Sequence, residues 1–158
     1  MVFLITNVYG IVNLPKLISM GGQVFDRCPR ITGVKNLGKI SFIPGRSFCG
    51  TNITYAKIPY ECTTISYQAF ADCPNLTTIK QYADSVDNWI EGETPVETNI
   101  SRVTTFNSNC FYNDQSLSID ANDLTNATTI GSAAFFNCIG LTGTLNLPNL
   151  TSLGASAF

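Results

Sequence analysis

The sequence predicts a repeat protein, a β-rich solenoid of short parallel strands in about six coils of 22–24 residues. Three observations predict it. A hexad of the form apolar-x-x-x-small-Phe occurs six times, and six of the ten phenylalanines fill its last place. Successive hexad phenylalanines are 23, 22, 41, 24 and 23 residues apart, so only the third step departs from one period, by a single excursion. A fixed period of this length is the signature of stacked units that bury their apolar faces only against one another.

In chain order the hexads run from Met20 to Phe25, Ile43 to Phe48, Ile65 to Phe70, Phe106 to Phe111, Ile130 to Phe135 and Leu153 to Phe158. The clearest unit opens with Ile58-Pro59, continues through Thr63-Thr64-Ile65 to Ala69-Phe70, and adds Cys73, Leu76 and Ile79 three, six and nine residues later. The first repeat follows this with Phe25, Cys28, Ile31 and Val34; Phe135, Cys138 and Leu141 follow it with one extra residue before Leu145. The second is one residue short, running from Phe48 to Ile53 and Ala56, with Cys49 directly after its phenylalanine. In the fourth, Asp114 stands where cysteine is expected and Cys110 where alanine is. Asn13–Met20 and Asn146–Leu153 also align without gaps.

Each part of the unit has a physical reading. Threonine and isoleucine runs such as Leu76-Thr77-Thr78-Ile79 favour short strands, which in successive coils lie about 4.8 Å apart. The small-Phe-x-x-Cys segment turns the chain, as a helical or 3₁₀ turn, and drops one aromatic ring into the interior above that of the preceding coil. The phenylalanines at 25, 48, 70, 111, 135 and 158 and the cysteines at 28, 73 and 138 are therefore structural repeat positions, the thiols packing as small apolar groups.

This pattern resembles the BspA-like, treponemal-type leucine-rich repeats, whose units read roughly Ile-Pro, then Thr-x-Ile-x-x-x-Ala-Phe, then x-x-Cys-x-x-Leu-x-x-Ile. Residues 58–79 match almost position for position, and the resemblance extends over roughly 11–158 apart from the excursion. It implies a curved leucine-rich-repeat solenoid, in a family common among bacterial and protist surface proteins, several of which act as adhesins. An extracellular or cell-surface location and a protein or glycan ligand are expected on that ground.

Composition narrows the functional classes. Nine basic and eleven acidic side chains give a net charge of −2 without a Lys/Arg cluster, against the basic footprint that nucleic acid requires. Without histidine there is no Ser-His-Asp or Cys-His pair and no two-histidine zinc site. No enzyme, cofactor or metal is expected. The apolar start at 1–5 lacks the basic region and length of a signal peptide, and no apolar run approaches the roughly 20 residues of a membrane helix. Thr, Asn and Ser supply 18, 15 and 12 residues.

Four features stand outside the consensus. Cys49, Cys62 and Cys110 occupy three different repeat positions, so an isolated disulfide among them is a second reading beside buried thiols. Residues 80–102 interrupt the period and hold Asp84, Asp87, Glu91, Glu93, Glu97 and the only tryptophan, Trp89. A short helix around 83–90 followed by a Gly/Pro-bearing loop is expected there. The stretch reads either as a protruding binding loop or as a degenerate repeat whose Trp89 seals the neighbouring coil. Lys35, Lys57 and Lys80 share one repeat position directly after Val34, Ala56 and Ile79. Such a column either contacts an anionic partner or keeps the strand face soluble and free of stray pairing. Of the five Asn-x-Ser/Thr sequons, at Asn52, Asn75, Asn99, Asn126 and Asn149, two (Asn75 and Asn149) fall within Asn-Leu-Thr tripeptides that the consensus generates anyway.

Lys35, Lys57, Lys80, Asp84, Asp87, Trp89 and Glu91 are accordingly the candidate ligand-binding residues. The whole of 1–158 reads as one leucine-rich-repeat domain with its excursion at 80–102. Neither end carries a polar cap, so a longer array, another subunit or a symmetry mate is expected to cover the ends. The expected function is a non-enzymatic binding or adhesion module; the alternative is a structural part of a fibre, appendage or virion.

Overall fold

Two strands and one phenylalanine-bearing turn make up each coil in the computed structural model, which describes residues 7–158. The apolar start at 1–5 lies outside the described residues. In chain order the strands are β1 (Gly10–Asn13), β2 (Ile31–Asn36), β3 (Phe42–Ile43), β4 (Tyr55–Ile58), β5 (Thr64–Ile65), β6 (Thr78–Tyr82), β7 (Glu97–Thr98), β8 (Thr105–Phe106), β9 (Ile119–Asp120), β10 (Thr129–Ile130), β11 (Leu141–Thr142) and β12 (Ser152–Leu153). The first row runs β1-β2-β4-β6, and the second runs β3-β5-β8-β10-β12, parallel throughout. Strands β9 and β11 continue the first row beyond the excursion, where the Ser118 N–H donates to the Thr77 carbonyl at 3.0 Å. Strand β7 belongs to the excursion and pairs antiparallel with the end of β6.

The second row advances one coil per step, with Ile43 beside Ile65, Ile65 beside Phe106, Phe106 beside Ile130 and Ile130 beside Leu153. Behind it the six hexad phenylalanines form one continuous ladder. Their ring centroids are 5.4, 5.4, 5.5, 5.5 and 5.7 Å apart, with interplanar angles of 4–19°. Phe70 stacks directly on Phe111, so the 41-residue step leaves the ladder unbroken. Burial of each inner ring contributes about 1.5–3 kcal/mol, and each stacked pair about 0.5–1.5 kcal/mol more. Before five of the six rings stands a small residue buried against the ladder, Ser47, Ala69, Cys110, Ala134 and Ala157, while Val24 before Phe25 is exposed.

The turn around each phenylalanine is not helical or 3₁₀. Two residues before the ring, Gln23, Arg46, Gln68, Asn109, Ala133 and Ser156 all have φ between 52 and 62°. Two residues after it, Arg27, Gly50, Asp72, Asn113 and Asn137 have φ between 53 and 66°. These left-handed corners turn the backbone amides outward along the stack. Arg46, Phe48 and Gly50 donate to the carbonyls of Tyr67, Ala69 and Ala71, each at 2.9 Å, and the same three bonds recur in other coils. A helical turn would close its bonds within itself and orphan the facing carbonyls of the next coil. Each non-glycine corner costs about 1–2 kcal/mol, which the inter-coil bonds offset.

Side chains extend the ladders. Thr54 and Thr77 donate their hydroxyls to the carbonyls of Thr32 and Thr54 at 3.2 and 2.9 Å. Thr128 and Thr151 bond the carbonyls of Thr104 and Thr128 at 3.1 and 2.9 Å. The side-chain amides of Asn52, Asn75, Asn126 and Asn149 each donate to an acceptor on the adjacent coil. Four of the five sequon asparagines thus have a stacking role, and the Thr/Asn-rich composition is the chemistry of these ladders.

The place three residues after each ring is filled by Cys28, Thr51, Cys73, Asp114 and Cys138, all buried. The Cys73 thiol donates to the Phe48 carbonyl at 3.1 Å, as the Thr51 hydroxyl does at 2.8 Å, and Cys138 donates to the Phe111 carbonyl at 2.8 Å. Each thiol thus reaches the ring carbonyl of the coil before it, whereas Thr51 fills the slot of the shortened second repeat with a hydroxyl that bonds its own coil. Asp114 differs from both. Its Oδ1 accepts from the Cys73 N–H at 2.8 Å, Oδ2 has no partner, and burial pushes the carboxyl up to about 8. Cys49, Cys62 and Cys110 are buried thiols without a disulfide. Burial raises all three, Cys62 to about 12, which keeps them protonated and unreactive near neutrality.

Candidate functional site

The excursion leaves the first row at the end of β6 and rejoins the stack before β8. Gln81 pairs with Thr98 and Tyr82 with Glu97, and the Ala83 N–H donates to the Val96 carbonyl at 2.9 Å, which closes the loop at its base. In place of the expected short helix at 83–90 there is a three-residue 3₁₀ turn, Val86–Asn88. Local side-chain bonds compete with the helix here. Asp84 Oδ1 accepts from the Ser85 N–H at 2.7 Å and from Asn88 Nδ2 at 2.8 Å, while the Asp84 carbonyl accepts from Trp89 Nε1 at 3.4 Å.

Trp89 lies edge-on to Tyr82 of β6, with centroids 4.5 Å apart at 63°. The Tyr82 hydroxyl donates to the Lys35 carbonyl of β2 at 2.5 Å, which ties the excursion to a strand two coils earlier in the row. Burial, with Glu97 and Tyr55 nearby, pushes this phenol up to about 12, so it remains a donor at physiological pH. The Lys57 ammonium contacts Glu97 Oε1 at 2.5 Å and stands 5.8 Å from the centre of the Tyr55 ring. At the other side of the excursion, Lys39 pairs with Asp87.

Between this loop and the first row lies a cleft of about 510 Å³ lined by Lys35, Lys57, Tyr82, Trp89, Glu91, Glu93 and Glu97, together with Asn13 and Asn36. A smaller cavity of about 290 Å³ lies within the excursion itself, against Asp84, Trp89, Ile90 and Val96. The fold thus brings four of the seven candidate residues together: Lys35, Lys57, Trp89 and Glu91. Lys80 sits beside Lys57 in register but does not line the cleft. Asp84 orders the loop, and Asp87 is engaged by Lys39. The lysine column is real in register, with Val34 beside Ala56 and Ala56 beside Ile79. Part of its charge is balanced by Glu97 from the excursion.

Tyr82 and Asn13 join the cleft, and Lys39 holds the excursion from its other side, without having stood out in the sequence. Tyr82 reads there as one more apolar strand residue, and Lys39 falls outside the lysine column. The only advance signal was the excess of acids in the excursion, which demanded nearby cations. Among the described residues no group of three His, Cys, Asp or Glu side chains converges to hold a metal, and no helix is long and apolar enough to cross a membrane.

Two strand rows joined by phenylalanine-bearing turns, with a core laid down one ring per coil, define a leucine-rich-repeat β-solenoid. The chain belongs to the BspA type leucine-rich repeat family, whose model matches it in six copies over residues 3–89 and 96–158. The internal break in the match, 90–95, is the outer part of the excursion beside the cleft. No curated protein and no solved structure matches the chain.

Proposed function

We propose that this chain is a non-enzymatic binding module, displayed at a cell surface, which recognises a protein or glycan through its first strand row and the Trp89 excursion. The observation that carries the reading is the convergence of Lys35, Lys57, Trp89 and Glu91 on one cleft. A rigid row supplies the lysines and a loop supplies the aromatic, the usual division between scaffold and recognition segment. The family supports a repeat module of the binding kind, and its surface association supports the location.

The test compares wild type, the triple variant K35E/K57E/K80E and W89A for binding to a glycan array and to purified extracellular-matrix proteins. Loss of a wild-type signal in both variants, with unchanged far-UV circular dichroism, is the expected result. A ligand that both variants bind as well as wild type would place recognition on another face.

A further inference from the structure

The cleft offers an unusual mixture of groups for its size. Trp89 and Tyr82 supply aromatic surface, and five charged side chains of both signs surround them: Lys35, Lys57, Glu91, Glu93 and Glu97. Lys57 and Glu97 are committed to each other, whereas Lys35, Glu91 and Glu93 form no ion pair among the described residues. The unengaged groups are therefore an ammonium donor and carboxylate acceptors beside an indole.

A ligand that satisfies this lining must accept from Lys35, donate to Glu91 or Glu93, and lay an apolar face on the tryptophan. Opposed charges cancel the net field that would select a polyanion or polycation. A protein partner fits poorly, because the buried centre of a protein interface is depleted of charge, and here charge surrounds the aromatic centre. Hydroxyl groups both donate and accept. A pyranose ring arranges several of them around a C–H face that stacks on an indole. The volume of about 510 Å³ falls within the roughly 300–1,000 Å³ range of small-ligand sites.

We propose that the cleft between the first strand row and the excursion is a saccharide site for one or two pyranose residues. Trp89 is its stacking surface, Lys35 its donor and Glu91 its acceptor. The proposal rests on the reading of this cleft as the recognition surface and names the ligand class that the reading left as protein or glycan.

The chain has a single tryptophan, so its emission reports on the site directly. The intact chain is titrated with methyl pyranosides of glucose, galactose, mannose, N-acetylglucosamine and glucuronic acid and with their disaccharides. Glycerol serves as the ringless polyol control, and acidic and basic peptides are run in parallel. A saturable change in Trp89 emission with at least one pyranoside and none with glycerol is expected. By calorimetry, W89F and K35M should each weaken that saccharide by about tenfold or more with melting unchanged; W89F keeps a ring against Tyr82, so the loop stays folded. Peptides that move Trp89 while sugars do not would overturn the saccharide assignment and leave the cleft reading standing. A saccharide that binds equally to wild type, W89F and K35M would overturn both, as would silence from every probe.

Discussion

Asp114 turns the cysteine slot of the fourth repeat into a buried carboxyl, and this one substitution makes stability depend on pH. The side chain is fully buried, with Oδ1 held by the Cys73 N–H and Oδ2 unpartnered. Its carboxyl is raised from 3.8 to about 8, chiefly by desolvation, with Asp72 adding repulsion. The folded state therefore keeps a proton that the unfolded chain surrenders as pH rises through about 4. Stability from this group is fully present below about pH 4, falls by about 1.4 kcal/mol per pH unit above it, and is gone once pH passes about 8. At pH 7 the loss amounts to about 4 kcal/mol, a large fraction of the 5–15 kcal/mol typical of a domain. Asp114→Asn retains the Oδ1 acceptor for Cys73 but cannot titrate; Asp114→Cys restores the repeat residue. Urea unfolding between about pH 5 and 7.5 should show wild type losing stability relative to both variants by about 1.4 kcal/mol per unit. A difference between wild type and Asp114→Asn that is constant across that range would refute the reasoning, because the carboxyl would then titrate alike in both states.

Phe111→Ala removes the ring on which Phe70 stacks and should cost about 3–5 kcal/mol; because coils couple through their neighbours, its thermal transition should broaden or split, as calorimetry would detect. Ala133 holds a left-handed corner at φ 52° without the freedom of glycine, so Ala133→Gly should stabilise by about 0.5–1 kcal/mol, read as a shift in the denaturation midpoint. The Lys57–Glu97 side chains are 30% and 28% exposed, so a double-mutant cycle with Lys57→Ala and Glu97→Ala should give a coupling of about 1 kcal/mol or less that shrinks with added salt.

The architecture was legible because stacking repeats its demands at a fixed interval. One interior ring per coil needs Phe25, Phe48, Phe70, Phe111, Phe135 and Phe158, and one buried small group three residues later needs Cys28, Cys73 and Cys138. The left-handed corners were not legible: Gln, Arg, Asn, Ala and Ser all occupy the same corner, since what enforces it is the bond to the next coil and not a residue's preference. Thr51 was hidden by the shortened second repeat, although it is buried in the cysteine slot. At the site, the lysine register followed from the period alone. The folding of the excursion onto it did not, because Tyr82–Trp89, Lys57–Glu97 and Lys39–Asp87 join residues whose spacing obeys no repeat.

That Phe70 meets Phe111 directly has a consequence for what this scaffold can carry. The chain departs and returns at adjacent points, with Ala83 bonded to Val96 across the base, so the phenylalanine ladder makes no demand on the length of what lies between. Lengthening such a segment is inexpensive: doubling it adds only about 0.6 kcal/mol of closure entropy. A segment of different length grafted between Ala83 and Val96 should therefore leave the ladder and the register of Lys57 and Lys80 unchanged. The solenoid separates a fixed floor of strands from a segment free to vary above it.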